Sequence, residues 1–284
     1  MDNITTVNET SVVSNDLISS LVQMYLVQKM VLAPTLTDYT NLVGKGMKSI
    51  SIPRAGSLQA QKKSAGQKLS SQVMSIGVDN LTLDQHYGVL IEEEDLAVVQ
   101  SNIDLSAEYL KRMAAALALE MDAKIYEQMK LCSASSPDNR RAFASGSSLT
   151  KADFTTAKQV LMESNVPMDD GKLFVCINPF NTKAILDLAD FVDADKWLAG
   201  SAEAKLNGVI GKCYGFQVLT SNLISNTGSI FYHSSHVSWA RQIQPKFEMA
   251  RNIDNLSDKM ALSHNYGCKV MDNGVRGVLI GSAS

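Results

Sequence analysis

The residues of this chain that could do chemistry are four histidines, four cysteines and a few paired carboxylates. His233 and His236 stand between two strand signals, so their imidazoles are expected to face in different directions. No third ligand follows at the spacing that a zinc site requires. Asp169 and Asp170 lie in a turn-like polar stretch, which predicts a solvated loop rather than an acid–base pair. The pattern predicts neither a metal site nor a catalytic pair.

A glycine-rich stretch over residues 208–213 has a superficial likeness to a phosphate-binding loop. That loop needs a glycine five residues before its Gly-Lys pair, and a serine or threonine after it. This chain has Leu206 and Cys213 at those positions. The Gly-x-Ser-x-Gly turn of a serine hydrolase is also missing. The sequence therefore predicts a protein that is not an enzyme and that carries no cofactor.

The bulk composition is that of a globular protein, with 45% hydrophobic and 19% charged residues in 284. A formal net charge of −3 argues against a dedicated nucleic-acid binder, although it allows passive enclosure of nucleic acid. The chain has no run of about 18 apolar residues and no basic N-terminal stretch, so neither a membrane segment nor a signal peptide is predicted. The scattered cysteines predict reduced thiols. They are Cys132, Cys176, Cys213 and Cys268.

A polar segment over residues 49–72 cannot form a core by itself. It has four basic residues, no acidic or aromatic residue and few large apolar ones. Ile50 and Ile52 alternate with serines on one side of it, and Leu81 and Leu83 alternate with polar residues on the other, which is the period of a half-buried strand. The pattern predicts a long hairpin with a polar tip, which is marginal in water without a packed face. Such an arm is either a mobile loop or a device that grips another subunit, and the rest of the chain favours the second.

The strongest helical signal follows this hairpin. Apolar residues recur every three or four positions over 96–129, which predicts a helix that ends near Cys132, and Asp104 would suit as a cap if the helix is broken there. The acidic step before it suits a helix N-terminus, where backbone N–H groups are unpaired. That step is Glu92, Glu93, Glu94 and Asp95. Another helix is predicted over residues 15–31.

Helices and strands are mixed in the second half without regular alternation. Thr150 to Asp153 resembles a capping box and predicts a helix start. The apolar run 173–177 predicts a buried strand, after which Asn178-Pro179 turns into a helix, and residues 213–220 predict one strand. From residue 228 the pattern is rich in strands, with a short charged helical stretch between some of them. We therefore predict an α+β fold.

Five stretches in this order resemble the major capsid proteins of tailed bacteriophages, the Hong-Kong-ninety-seven-type shell proteins. The stretches are IPRAGSLQAQ through SAGQ, LTLDQHYGVLIEEEDLAVVQ, SAEYLKRMAAALALEMDAKIY, LNGVIGKCYGFQVLTSN, and HSSHVSWARQIQPKFEMARN followed by HNYGCKVMDNGVRGVLIG. They are similar to the family's extended loop, the strand returning from it, the alanine-rich spine helix, the end of the axial domain and the closing strands of the peripheral domain. Their order and spacing match from about residue 45 to the C-terminus.

The resemblance implies an α+β Hong-Kong-ninety-seven-type phage capsid fold with five parts. These are an N-terminal arm over 1–48, an extended β-hairpin loop over 49–84, a peripheral domain with the spine helix over 85–148, an axial domain over 149–227, and peripheral closing strands over 228–284.

The resemblance also implies a function. The chain would be a major capsid (coat) protein that assembles through hexamers and pentamers into an icosahedral virion shell around double-stranded DNA, built in the cytoplasm of a bacterial host. Its partners would be further copies of itself, a portal protein, a decoration protein and the packaged DNA, bound without sequence specificity. Some family members begin with a cleaved scaffolding region. Only about 48 residues precede this arm, so a separate scaffolding protein, or the short N-terminal helix, would have to do that work.

The basic residues of the arm are predicted inter-subunit contacts. They are Arg54, Lys62, Lys63 and Lys68. The acidic step from Glu92 to Asp95 is a candidate partner surface on the neighbouring subunit. Some family members join a lysine to an asparagine of a neighbour, but neither partner is matched here by motif, so no cross-link is predicted.

Two other functions are compatible with the sequence. The first is the shell of an encapsulin-like nanocompartment, which encloses protein cargo instead of DNA. The second is a soluble α+β enzyme with a mobile polar lid over residues 53–72, which is weakened by the missing catalytic constellation. Copurifying nucleic acid or cargo would separate the two shells, and turnover by a monomer would support the enzyme.

Overall fold

The computed structural model describes residues 30–95, 106–186 and 211–281, apart from 57, 59, 75, 136–137, 147 and 225–227. Nearly all of the helix predicted over 15–31 lies outside the described residues, as do residues 96–105. The described helices are α1 (Ser106–Met129), α2 (Lys151–Glu163) and α3 (Pro179–Leu186). The described strands are β1 (Thr37–Asp38), β2 (Ser49–Ala55), β3 (Ile76–Thr82), β4 (Gln85–Glu94), β5 (Arg140–Arg141), β6 (Leu173–Ile177), β7 (Lys212–Cys213), β8 (Phe216–Thr220), β9 (Gly228–His233), β10 (Val237–Asn252), β11 (Ser257–Val270) and β12 (Gly277–Gly281).

Helix α1 is the predicted spine. Its 24 residues give it a length of about 36 Å at 1.5 Å per residue. One face is fully buried against a four-stranded sheet, and its residues recur at the spacing of a helical stripe. The residues of this stripe are Met113, Leu117, Met121, Ile125 and Met129. The predicted end near Cys132 is confirmed, and none of the described helices is long and apolar enough to cross a membrane.

The four-stranded sheet has the order β1-β10-β11-β4. Its centre is the long antiparallel hairpin of β10 and β11. All residues of β4 pair antiparallel with β11. The prediction of a short charged helix among the closing strands is therefore wrong. Lys246 to Arg251 belongs to β10, where Lys246 and Glu248 are exposed and Phe247 is buried between them. This alternation has the period of a strand, so the charged segment forms part of β10 and not a helix.

A second sheet of six strands has the order β5-β12-β9-β6-β8-β7, and α2 packs on it. Phe154 of α2 meets Phe231 of β9 edge to face, with ring centroids 5.1 Å apart, in the core between helix and sheet. The buried strand predicted over 173–177 is confirmed as β6. Because β9 and β12 belong to this sheet, strand pairing crosses the predicted domain boundary at residue 228, and the division into domains stays a prediction.

Local signals around this sheet were correct except at one turn. The capping box is present at the start of α2, where Asp153 accepts hydrogen bonds from the backbone N–H and the hydroxyl of Thr150. Residues 213–220 do not form one strand. Tyr214 (φ 50°) and Gly215 (φ 94°) make a two-residue turn between β7 and β8, a conformation that places both central residues at positive φ.

The segment before β1 is fixed to the spine by one buried carboxylate. Asp122 of α1 accepts hydrogen bonds from the backbone N–H groups of Val31 (2.6 Å), Leu32 (3.3 Å) and Ala33 (3.3 Å). Its burial raises its pKa, while the three backbone bonds act in the opposite direction. These contacts join parts of the chain about 90 residues apart, so α1 holds both the sheet and the entry segment.

Candidate subunit-contact arm

The predicted hairpin is present as a two-stranded sheet of its own. Strand β2 pairs antiparallel with β3, from Ser49 opposite Thr82 to Ala55 opposite Ile76. The ladder shares no strand with the two larger sheets. A two-stranded ribbon is marginal in water by itself, so its two ends must be stabilised in different ways. We call residues 49–55 and 76–83 the arm base, and residues 56–75 the arm tip.

The arm base is packed on the body of the subunit. Apolar side chains of β2, β3 and the residue after β3 form a small core with residues of β10 and of the segment after β11. The buried members of this core are Ile50, Leu81, Leu83, Ala240 and Met271. Their alternation with polar residues is the sequence signal that predicted the strands, and it now has a packing reason.

Arg54 lies at the outer limit of the arm base and is paired within its own chain. Its guanidinium group donates a 2.7 Å hydrogen bond to the Asp272 carboxylate and lies 4.0 Å from Asp79. The backbone N–H of Asp272 in turn donates to the Asp79 carboxylate at 3.0 Å. Arg54 was predicted to contact another subunit, but in this structure its charge is matched inside the subunit.

The described residues of the arm tip belong to none of the hydrophobic cores of the subunit. It turns at Gly66 (φ 84°), where Gln67 N–H donates to the carbonyl of Ser64, and Ser70 donates its hydroxyl to Gln61 at 2.8 Å. The remaining residues have no regular structure where they are described. The predicted contact residues Lys62, Lys63 and Lys68 are all exposed, and none forms an ion pair with a described residue. Three basic groups are therefore available for a partner.

Large apolar side chains are also exposed on the arm. Val73 is 96% exposed and Leu69 is 60% exposed, which is unusual for a monomer surface when such groups are clustered. The exposed apolar residues of the tip and the adjoining end of β3 are Leu58, Leu69, Val73, Met74, Ile76 and Val78. Leu58 and Leu69 border an open hollow of about 510 Å³ between the two sides of the tip. A surface of this kind favours burial against another protein.

The acidic step was expected to start a helix, and this is wrong for its first three members. Glu92, Glu93 and Glu94 are the last residues of β4, opposite the start of β11. Glu92 forms an ion pair with Lys259 on the neighbouring strand, and Glu93 is buried. Cross-strand pairing, which local sequence does not reveal, determines this strand end.

Asp95 also binds within the chain. The Arg251 guanidinium beside it forms hydrogen bonds of 2.5 and 2.6 Å and lowers the pKa of its carboxyl group. Much of the predicted acidic partner surface is thus occupied by cations of its own subunit. Its role as a partner for the arm stays a prediction.

The histidines, cysteines and paired carboxylates that the structure describes form no cluster that could hold a metal ion. Asp169 and Asp170 lie in an exposed bend, as predicted. Asp170 also shares a 2.8 Å hydrogen bond with His233, which the sequence did not predict, and this bond lowers the pKa of its carboxyl group. His236 Nε2 lies 3.1 Å from the carbonyl of Met129 at the end of α1. The two imidazoles therefore face different partners, as predicted. The four cysteines are free thiols, and three of them are buried.

The arrangement of a hairpin arm, a spine helix and two sheets defines the class of protein, since solved phage capsid proteins share it. The structure from Mycobacterium phage Che8 matches with a TM-score of 0.72 and 26% sequence identity over 89% of this chain and 92% of that one. The capsid of cyanophage P-SCSP1u matches with a TM-score of 0.71 and 17% identity over 90% and 89% of the two chains. The capsid of Helicobacter pylori bacteriophage KHP30 matches with a TM-score of 0.66 and 9% sequence identity over 87% of each chain. The α+β Hong-Kong-ninety-seven-type fold is confirmed.

Sequence comparison carries this assignment further. The family model described as phage capsid protein matches residues 19–277, and the chain belongs to this family. It is a major capsid protein, located in the virion shell, and the encapsulin-like alternative is not favoured. A structural role is consistent with the expectation that the chain is not an enzyme. No curated protein matches the sequence.

Proposed function

We propose that this capsid protein forms hexameric and pentameric rings of an icosahedral shell around double-stranded DNA, and that the arm tip fastens each subunit to a neighbour. Capsid relatives imply self-assembly of the chain. The observation that carries the proposal is the contrast within the arm: the inner face of its base is packed on the body, while its tip and the adjoining end of β3 expose six large apolar residues. A neighbouring copy of the chain is the partner that a shell supplies to every arm in the same way.

The magnitudes favour a cooperative contact over a single anchor. Full burial of one large apolar side chain stabilises by about 1.5–3 kcal/mol. Association costs roughly 4–15 kcal/mol in lost freedom of motion before side-chain ordering is included. Several of the six residues must therefore be buried together. Lys62, Lys63 and Lys68 would then border the contact and orient it, since rim charges mainly affect encounter and specificity.

The other partners follow from the shell role. The net charge of −3 and the absence of aromatic residues among the arm's basic ones support enclosure of DNA without base recognition. A separate scaffolding protein, a portal protein and a decoration protein would complete the particle, which would assemble in the cytoplasm of the bacterial host. We place the axial part, residues 149–227, at the ring centres and the spine in the outer body.

The test is to shorten the arm without disturbing its base. Residues 56–75 are replaced by Asn-Gly, a two-residue turn suited to joining Ala55 to Ile76, which pair directly in the ladder. Because the described residues of the replaced segment belong to none of the hydrophobic cores, the variant should fold with the wild-type thermal midpoint but should no longer form shells. Sedimentation velocity and negative-stain microscopy, with the scaffold present, measure assembly. Normal shells from the shortened chain would overturn the proposal.

Two matched variants separate the forces at the tip. Replacing Leu58, Leu69 and Val73 with serine keeps the length and charge of the arm and should prevent assembly. Replacing Lys62, Lys63 and Lys68 with glutamine keeps the apolar groups, so assembly should persist but become slower and less sensitive to salt. If the lysine variant fails and the serine variant assembles normally, apolar burial is not what fastens the arm.

A further inference from the structure

One ionic network connects the arm base to the end of the spine helix. Arg54 lies opposite Gly77 in the arm ladder. A Cβ at Gly77 would lie only 3.0 Å from one guanidinium nitrogen of Arg54 and 3.1 Å from another, so glycine leaves room for this group to lie across β3. From there it reaches Asp79 on β3 and Asp272 on the body. The arm is thereby linked to the short segment that joins β11 to β12.

That segment is held in an uncommon conformation. Asp272 and Asn273 both have φ of 52°, in the left-handed region that few non-glycine residues occupy. Such backbone persists where the surroundings over-determine it. The Asp272 carboxylate also lies 3.5 Å from the Arg276 guanidinium, and its backbone N–H is bound by Asp79. Both the backbone N–H and the side-chain carboxylate of Asp272 therefore take part in the network.

The same segment is fixed to the C-terminal end of α1. A Cβ at Gly274 would lie 2.0 Å from the carbonyl oxygen of Leu131, so the two backbones are in direct contact there. The Gly274 carbonyl accepts a hydrogen bond from Ser133 N–H at 3.1 Å. A continuous path thus leads from the arm through Asp272 to the residues that follow the spine helix.

Among the described residues, the outer part of this junction is open. An open cleft of about 290 Å³ lies between the arm base and the body, and it is bordered by Tyr39, Pro53 and Ser235 as well as by the four charged residues. The apolar contacts of the base lie further in, at Ile50 and Leu81. A hinge motion about that inner contact would first break the pair between Arg54 and Asp272.

We propose that Asp272 is a positioning residue, which through Arg54 holds the arm at a fixed angle to the spine before any neighbour is bound. The angle of the arm is a property of the single subunit, and its value for assembly rests on the proposed function. An arm already aimed at its neighbour loses less freedom on association, and this raises affinity without adding a contact.

The test measures the arm angle in the unassembled full-length chain. Spin labels are placed at Ile76→Cys, an exposed position at the outer end of the arm base, and at Thr155→Cys on the outer face of α2. The background is Cys268→Ser, which removes the one partly exposed cysteine among the described residues. Pulsed electron resonance then gives the distribution of distances between the two labels. The variant is Asp272→Asn, which removes the charge but keeps a residue that tolerates positive φ. The control is Asp258→Asn, which breaks an ion pair with Arg251 away from the arm.

The proposal expects a narrow distribution for the parent and for Asp258→Asn, and a broader or shifted one for Asp272→Asn. Arg54→Gln changes the other partner of the same ion pair and should broaden the distance distribution to the same extent. The double variant should broaden it no more than either single variant. An unchanged distribution in both single variants would overturn the proposal. This readout is independent of shell formation. If shortened arms still assembled, the proposed function would fail, whereas the positioning role would be judged by the distances alone.

Discussion

The spine and the arm tip are stabilised in opposite ways within one chain. Helix α1 is buried along a full stripe and is fixed to both a sheet and the entry segment. The tip is joined by turns and polar contacts, and its large apolar groups face solvent. The body thus holds what a single subunit needs in order to fold, while the tip holds what it needs in order to associate. Changes in the two regions should have separable effects.

The largest effect is expected in the spine. Leu117→Asp would put a charge without a partner on a side chain that is 2% exposed, and burying an unpaired charge is among the most destabilising of single changes. We expect an insoluble or unfolded subunit, by circular dichroism and by soluble yield. Leu119→Asp is the control, because Leu119 lies on the same helix and is 56% exposed. A folded, soluble Leu117→Asp protein would contradict the spine assignment.

Acid should loosen the body before it affects the tip. Burial lowers the pKa of His236 and of His264 to about 4 from the usual 6.5, and nearby Arg241 acts in the same direction on His264. Between these values the unfolded chain binds more protons, so the free energy of unfolding should fall as the pH drops, by about 1.4 kcal/mol per pH unit for each histidine. Asp122 opposes this trend, since its pKa is raised.

The measurement for the acid effect is urea denaturation at several pH values from 7 to 4. His264→Phe should give a shallower dependence on pH than the parent, because it removes one of the two buried groups. Leu262→Met is the control, a change of similar volume at a buried side chain that does not titrate, and it should leave the slope unchanged. Equal slopes for the parent and His264→Phe would show that the buried imidazole does not govern acid stability.

A smaller effect is expected where the entry segment meets the spine. Asp122→Asn replaces an acceptor of three backbone N–H groups with an amide that can also donate, leaving part of the set unsatisfied. The loss should be about 1–3 kcal/mol in the free energy of unfolding. Hydrogen exchange should rise at residues 31–33 and stay unchanged in β10 and β11. The matched control is Glu127→Gln, at an exposed position on the same helix. Faster exchange at residues 31–33 in this control as well would argue against a specific anchor at Asp122.

The smallest effect on folding is expected at the tip. Replacing Lys62, Lys63 and Lys68 with glutamine should leave the thermal midpoint of the subunit unchanged, because none of them pairs with a described residue. Differential scanning fluorimetry measures this midpoint. A clear fall would mean that the tip contributes to the stability of the monomer, and the contrast between the two regions would no longer hold.

The contrast also explains what sequence alone could predict. The spine and the arm ladder have strong local periods, of about 3.6 and 2 residues, and both were predicted with their main residues. The prediction of a helix within β10 rests on the charge of that stretch, whereas Lys246, Phe247 and Glu248 alternate between polar and apolar at the period of a strand. In these three cases the information was local.

Other features could not be predicted because they depend on distant partners. Asp122 binds residues about 90 positions away, and Arg54 binds Asp272, which is 218 positions away. A carboxylate next to the apolar stripe of a helix was the only local sign of the first. The pair of Arg54 and Asp272 had no local sign, because the sequence around an arginine in a basic arm is the same whether it pairs within its chain or with a neighbour.

The uncovered apolar groups of the tip have a thermal consequence. In the free subunit, water is ordered around Leu69, Val73 and their neighbours, and association returns that water to the bulk. The driving force near room temperature is then the entropy of solvent, with a negative change in heat capacity. Shells joined in this way should strengthen on moderate warming and loosen in the cold, so the temperature at which particles form becomes a control over whether they close.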